Sequence, residues 1–171
     1  MSSPNSRTRI VSLSLPAVLP LVATLLTTTP DRLMWNASAS LPIGLYWLQP
    51  PKGIRIGTIV AVRPSGNVAR LIYNRGYVGP GVPLLKSVAA LAGDKVCRHG
   101  GTVTVGALRA RALTSDRIGR PLPDWQGCLT LRADEVFLLN RRPDSLDGRY
   151  FGLTRRSDII AQARPIWTFG P

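Results

Sequence analysis

Between Ile10 and Leu26 the chain reads IVSLSLPAVLPLVATLL, an apolar run without a single charge. Continued as a helix through Thr29, it would span roughly 30 Å, the thickness of a bilayer's hydrocarbon core. A soluble core helix would show polar positions at helical spacing, and this run has none to speak of. Pro16 and Pro20 weaken a soluble helix but are tolerated in a transmembrane one. Arg7 and Arg9 precede the run and predict a cytoplasmic N-terminus with the remainder exported. The expected organisation is a cytoplasmic N-terminus at 1–9, a transmembrane anchor at 10–29 and an exported domain at 30–171. A cleaved signal peptide is the competing reading, because Ala37-Ser38-Ala39 offers small residues for cleavage. That site lies beyond Pro30, Asp31, Arg32 and Trp35, too far behind the apolar run for a usual cleavage site.

The exported part is long enough, and apolar enough, to bury a core of its own. Fifteen Pro and sixteen Gly argue against a helical bundle and for many short strands joined by turns. Gly57–Arg63 reads as a buried strand, and Leu84–Leu91 as another, interrupted by Lys86. Lys95–Arg98 and Thr102–Val105 flank a His-Gly-Gly turn and predict a hairpin. Glu135–Asn140 and Ile159–Phe169 add later strands. Ser65–Gly76 predicts a helix, with Ser65 or Asn67 as cap, Val68, Leu71 and Ile72 on one face and Gly76 as stop. The fold class expected is mainly antiparallel β with one or two short helices.

The net charge is +13, yet only three of the 22 basic residues are lysines, and they are scattered rather than clustered. No basic helix interleaved with aromatics is present, so no nucleic-acid partner is expected. The charge suits a domain lying against the anionic surface of a membrane. Cys97 and Cys128 form an even pair, which in an exported chain points to one disulfide; two buried thiols are the alternative.

Three segments carry side chains that chemistry can use. In Asn36–Tyr46, NASASLPIGLY, Ser40 stands next to a residue restricted by the following proline. That restriction fixes a hydroxyl and an amide N–H able to face an oxyanion, and Ser38 could add a second donor. In Leu84–Ala90, LLKSVAA, Lys86 sits inside an apolar strand pattern, with Leu84 and Val88 on its face. Burial disfavours the ammonium form, and a neutral amine can take a proton from a serine hydroxyl. In Ser145–Gly152, SLDGRYFG, an extended backbone would put Asp147 and Arg149 on one face to brace the site, with Ser145 bonded to the Lys86 amine. Each segment alone also fits a bland reading: a polar loop, an edge lysine, a surface turn. His99, the only histidine, sits in a turn and lacks a nucleophile elbow, so a Ser/His/Asp hydrolase is disfavoured. A Cys97/His99/Cys128 metal site lacks a fourth ligand, and no phosphate-binding Gly-rich loop is present, so no metal or cofactor is expected.

Taken together, SLPIGLY at Ser40–Tyr46, LLKSVAALAGD at Leu84–Asp94 and SLDGRYFG at Ser145–Gly152 resemble the bacterial type I signal peptidases. The Ser-x-Pro-x-Gly-x-Tyr form of the first block, and GRPLPDWQGC at Gly119–Cys128, resemble the TraF-type conjugative-transfer branch. The resemblance implies a Ser/Lys peptidase with Ser40 as nucleophile, Lys86 as general base and Ser38 as oxyanion donor. It implies Ser145 as the group orienting the lysine, with Asp147 and Arg149 in support. The implied setting is the bacterial inner membrane with the catalytic domain in the periplasm. The implied partners are a pilin precursor or another membrane-inserted preprotein, membrane lipid and conjugative type IV secretion components. Cyclisation of the pilin is a conceivable outcome. A general leader-removing peptidase and a noncatalytic conjugation component are the alternatives. Leu41, Ser87, Ala92 and Gly148 depart from common family residues, and Gly148, where Ser is frequent, leaves the support around Asp147 in question.

Overall fold

The computed structural model describes residues 32–170. The expected cytoplasmic N-terminus and the anchor at 10–29 lie outside the described residues. Among the described residues no helix is long and apolar enough to cross a membrane.

The domain is antiparallel β, as its turn-rich composition predicts. In chain order the strands are β1 (Leu33–Asn36), β2 (Ile43–Gln49), β3 (Ile59–Val62), β4 (Leu84–Ala90), β5 (Lys95–His99) and β6 (Thr102–Val105). They continue as β7 (Leu108–Arg111), β8 (Gly127–Thr130), β9 (Glu135–Leu138), β10 (Thr154–Arg155) and β11 (Ile159–Phe169). Two helices interrupt them, α1 (Gly66–Asn74) and the single turn α2 (Gly148–Phe151). Seven strands form one sheet in the order β1-β2-β11-β3-β4-β9-β10, and four form a second in the order β7-β6-β5-β8.

Helix α1 forms where the 3.6-residue pattern predicts it, with Ile72 fully buried and Gly76 closing it in the left-handed region at φ +67°. Ser65 is the N-cap residue, but its hydroxyl bonds the Asp158 carboxylate at 3.2 Å rather than a helix N–H. The His-Gly-Gly hairpin is present as β5 and β6, with His99 opposite Thr102. Cys97 lies directly opposite Cys128 across β5 and β8, and the two are joined in a disulfide. Both sulfurs are therefore unavailable as thiolate ligands beside His99.

The core lies on both faces of the central strands. Val136 and Leu138 of β9 pack with Val60, Val62, Val88 and Ile159 on one face. Phe137 and Leu139 turn to the other face and meet Val96, Val103, Val105 and Leu131, which ties the two sheets together. Gly44 of the first block is required by a close crossing: its φ is +145°, and a Cβ there would lie 2.1 Å from the Trp167 carbonyl oxygen. Strand β11 bulges between Pro165 and Trp167 at this crossing.

Candidate active site

Ser40 lies in the turn between β1 and β2, half-buried. The turn is held by Asn36, a buried residue at the end of β1. The Asn36 amide donates to the carbonyls of Ser38 at 2.9 Å, Leu41 at 3.2 Å and Pro42 at 3.0 Å. Its own oxygen accepts from the Ser38 N–H at 3.2 Å and the Ser38 hydroxyl at 3.1 Å. The Tyr46 hydroxyl donates to the Pro42 carbonyl at 2.7 Å. The turn is thus clamped on either side of Ser40, and the Ser38 and Ser40 hydroxyls lie 3.1 Å apart. Ser40, Leu41 and Pro42 line a cavity of about 1030 Å³ together with Ser87, Val88, Ala89 and Leu139.

Lys86 is buried in an interior strand, between β3 and β9, and not on an edge. Its Nζ donates to the Ser145 hydroxyl at 3.0 Å, the contact expected from the sequence. Burial is the main cause that pulls its pKa down, from 10.5 to about 8; nearby Arg149 adds to the fall, while Asp147 and Asp144 oppose it. At pH 7 about one molecule in ten then carries the neutral amine, against about one in a few thousand for an unperturbed lysine.

The support around Lys86 is denser than the sequence indicates. Asp147 and Arg149 do meet, Arg149 Nε donating to Asp147 Oδ1 at 2.9 Å, with both side chains fully inaccessible. The local backbone is not extended, however. Asp147 is the N-cap of α2, and its carboxylate accepts the Arg149 N–H at 3.2 Å. The helical turn arises because this short cap bond pairs residues two apart, which an extended strand cannot do. The departure at Gly148 also has a physical reason: a Cβ there would come within 2.7 Å of both the Leu138 carbonyl oxygen and the Phe137 ring. Only glycine fits, so Gly148 permits the close packing that seats Asp147.

Sequence reasoning missed Asn140. Its side-chain oxygen accepts the Ser87 N–H at 2.9 Å, and its amide donates to the Leu85 carbonyl at 3.3 Å, the two backbone groups flanking Lys86. Its own N–H donates to Asp147 Oδ2 at 3.0 Å, and its carbonyl accepts from the Arg149 guanidinium. One asparagine therefore ties the strand carrying Lys86 to the Asp147–Arg149 pair. Asn36, the first residue of the serine block, was likewise given no role; an Asn followed by a serine turn is the signal that could have marked it.

The expected residues thus fall into two constellations, Ser38 with Ser40 and Lys86 with Ser145, Asp147 and Arg149. Ser40 bonds Ser38, not Lys86, and the two line different cavities: Lys86 faces one of about 480 Å³ with Leu138, Asp147 and Phe151.

The family model described as signal peptidase, peptidase S26, matches residues 7–168. A "Plasmid transfer protein TraF" of Escherichia coli is 36% identical over 145 residues, 78% of this chain and 82% of that protein. A "Conjugal transfer protein TraF" of Agrobacterium fabrum is 30% identical over 150 residues, 80% of this chain and 82% of that protein. With a family model spanning nearly the whole sequence and TraF relatives covering most of both chains, this chain belongs to the peptidase S26 signal peptidase family.

Proposed function

We propose that the protein is a membrane-anchored Ser/Lys endopeptidase that matures a conjugative pilin precursor. The observation that carries this reading is the buried Lys86, held by Ser145 and lowered to about 8, in a chain similar to TraF transfer proteins. In the reaction the neutral Lys86 amine takes the Ser40 proton as the Ser40 oxygen attacks a peptide carbonyl. The Ser40 N–H and the Ser38 hydroxyl donate to the oxyanion. The C–N bond then breaks, the leaving amine takes the proton from Lys86, and a Ser40 ester remains. Its acyl group passes to water, giving a linear product, or to the pilin's own N-terminal amine, giving a cyclic one. An intramolecular amine has a high effective concentration, which favours ring closure.

The Ser40 hydroxyl must reach Lys86 in the substrate complex, and catalytic hydrogen bonds in unliganded enzymes commonly tighten only then. An anchor at 10–29 would hold the Ser40 turn near the membrane surface, where an anchored precursor diffuses in two dimensions. The periplasm fits the disulfide, which forms in oxidising compartments.

The test is the mass of the mature pilin from cells carrying wild-type, Ser40→Ala or Lys86→Ala enzyme. Unprocessed precursor with both variants is expected. A wild-type product one water lighter than the linear peptide means cyclisation. Identical pilin masses from all three would contradict the proposal.

A further inference from the structure

The stretch Gly119–Cys128 marks the resemblance to the TraF branch, yet none of it belongs to the two constellations above. Part of it, the strap Pro123–Trp125, reaches α2 directly or through Arg98. The Trp125 indole N–H donates to the Gly148 carbonyl at 3.0 Å. The Trp125 ring stands edge-on to Phe137 at 6.2 Å between centroids, and Phe137 is the ring that leaves no room for a Cβ at position 148. One residue on, the Arg149 carbonyl accepts from Arg98, a residue 4% exposed in β5, at 2.6 Å. The same guanidinium is fixed by Asp124 at 3.1 Å and by the Pro123 carbonyl at 3.4 Å. Trp125 thus holds the Gly148 carbonyl, and Arg98, itself held by Pro123 and Asp124, holds the Arg149 carbonyl, while the Asp147 carboxylate accepts the Arg149 N–H. The Gly148 carbonyl also accepts the Gly152 N–H at 2.9 Å within the turn. A single helical turn closes few such internal bonds, so outside partners help to set its position.

We propose that Trp125 and Arg98 are positioning residues of the catalytic centre: by holding the Gly148 and Arg149 carbonyls they keep Asp147 and Arg149 in register beneath Ser145 and Lys86. The assignment rests on the proposed role of Lys86 as base. It also accounts for Gly148: the tight Phe137–Trp125 packing takes the space that a side chain there would occupy. Loosening the strap admits water to the Asp147–Arg149 pair and lessens the burial of Lys86. The charged groups that act on Lys86 are Asp147, Arg149 and Asp144. With burial as the leading cause of its low pKa, hydration moves Lys86 back towards its ordinary value, so the acid limb of the rate profile moves to higher pH.

The experiment uses the full chain in detergent or vesicles and a peptide substrate cut in a Ser40-dependent manner. Trp125→Phe keeps an aromatic ring against Phe137 and removes the N–H; Arg98→Lys keeps the charge and loses the fork. Arg70→Ala, exposed on α1 and bonded there to Asn67, serves as control and should match wild type. The expected result is a roughly tenfold fall in kcat at pH 7 for both variants, KM within about twofold, and an acid limb moved up by about one pH unit. Wild-type kcat and acid limb in folded Trp125→Phe and Arg98→Lys would overturn the proposal, as would lost kcat with an unmoved limb. If one variant fails to fold, the other decides. Lys86→Ala separates the two levels: if it is inactive while both strap variants are normal, only the positioning role falls. If Lys86→Ala remains active, the base assignment falls and the positioning role with it.

Discussion

The side of the proposed nucleophile Ser40 and the side of the proposed base Lys86 are built in opposite ways. Ser40 sits half-buried in a turn, on the wall of an open cavity, and its turn is held almost entirely by one asparagine. Lys86 sits in the middle of the larger sheet, buried with Ser145, Asn140, Asp147 and Arg149. The difference follows from what each group must do. A nucleophile has to meet a peptide arriving from outside, whereas a lysine base must be kept from water to be neutral at working pH. The buried charges thus lie on the Lys86 side, and access to the cavity lies on the Ser40 side. Substitutions on the base side should change stability, and substitutions in the turn should change turnover.

The largest effect is expected at Asp147. Asp147→Ala leaves Arg149 buried without its carboxylate and should cost about 3–5 kcal/mol, measured by denaturant unfolding. A loss under about 1 kcal/mol would mean that the pair is not the keystone described. Next comes the Cys97–Cys128 bridge, which closes a separation of 31 residues. Its removal in a Cys97→Ser/Cys128→Ser variant should lower stability by about 3–4 kcal/mol by the chain-entropy estimate.

Lys86→Met sharpens the comparison because its two effects have opposite signs. The folded pKa of Lys86 is depressed, so the unfolded state holds the proton more tightly, and folding is penalised wherever the unfolded lysine is charged. The penalty is full below about pH 8 and fades as pH rises towards 10.5. Lys86→Met should thus abolish turnover while raising stability at pH 7 by up to roughly 3 kcal/mol, a gain that shrinks by pH 10.5. A stability difference independent of pH would rule out a depressed lysine. On the other side, Asn36→Ala should cost about 1–2 kcal/mol through its lost carbonyl partners. Its kcat should drop ten- to a hundredfold, because the Ser40 turn loses its clamp. Ser40→Ala should be the mildest in stability, within about 0.5 kcal/mol of wild type, and yet inactive.

Local pattern explains why so much was readable in advance. Strand β11 spans Ile159–Phe169, the bounds expected for a late strand, and α1 follows its helical face and its Gly76 stop. The hairpin of β5 and β6 was announced by His-Gly-Gly. The Lys86–Ser145 hydrogen bond, across 59 residues, and the Asp147–Arg149 pair are both among the contacts that the residues of Ser145–Gly152 suggest, and the family resemblance adds the roles. What stayed hidden depends on long-range packing. Nothing local tells that β11 inserts between β2 and β3, or that Phe137 closes the space over Gly148. Asn140 looked like a strand end, and its role appears only when β4 is laid beside it. An extended backbone at 145–152 is one way to bring Asp147 and Arg149 together; the cap bond from Asp147 achieves it in a helical turn instead.

The central claim is that Lys86 is a buried lysine neutral enough to act as base. With only three lysines in the chain, the side-chain resonances of a lysine-labelled protein can be titrated by NMR and assigned by loss in Lys86→Met. The account predicts that the Lys86 resonance titrates near pH 8 and that the acid limb of Ser40 acylation follows the same curve. A Lys86 resonance titrating near its ordinary 10.5, or an acylation rate that stays flat through pH 8 to strongly acidic pH in the folded protein, would contradict it.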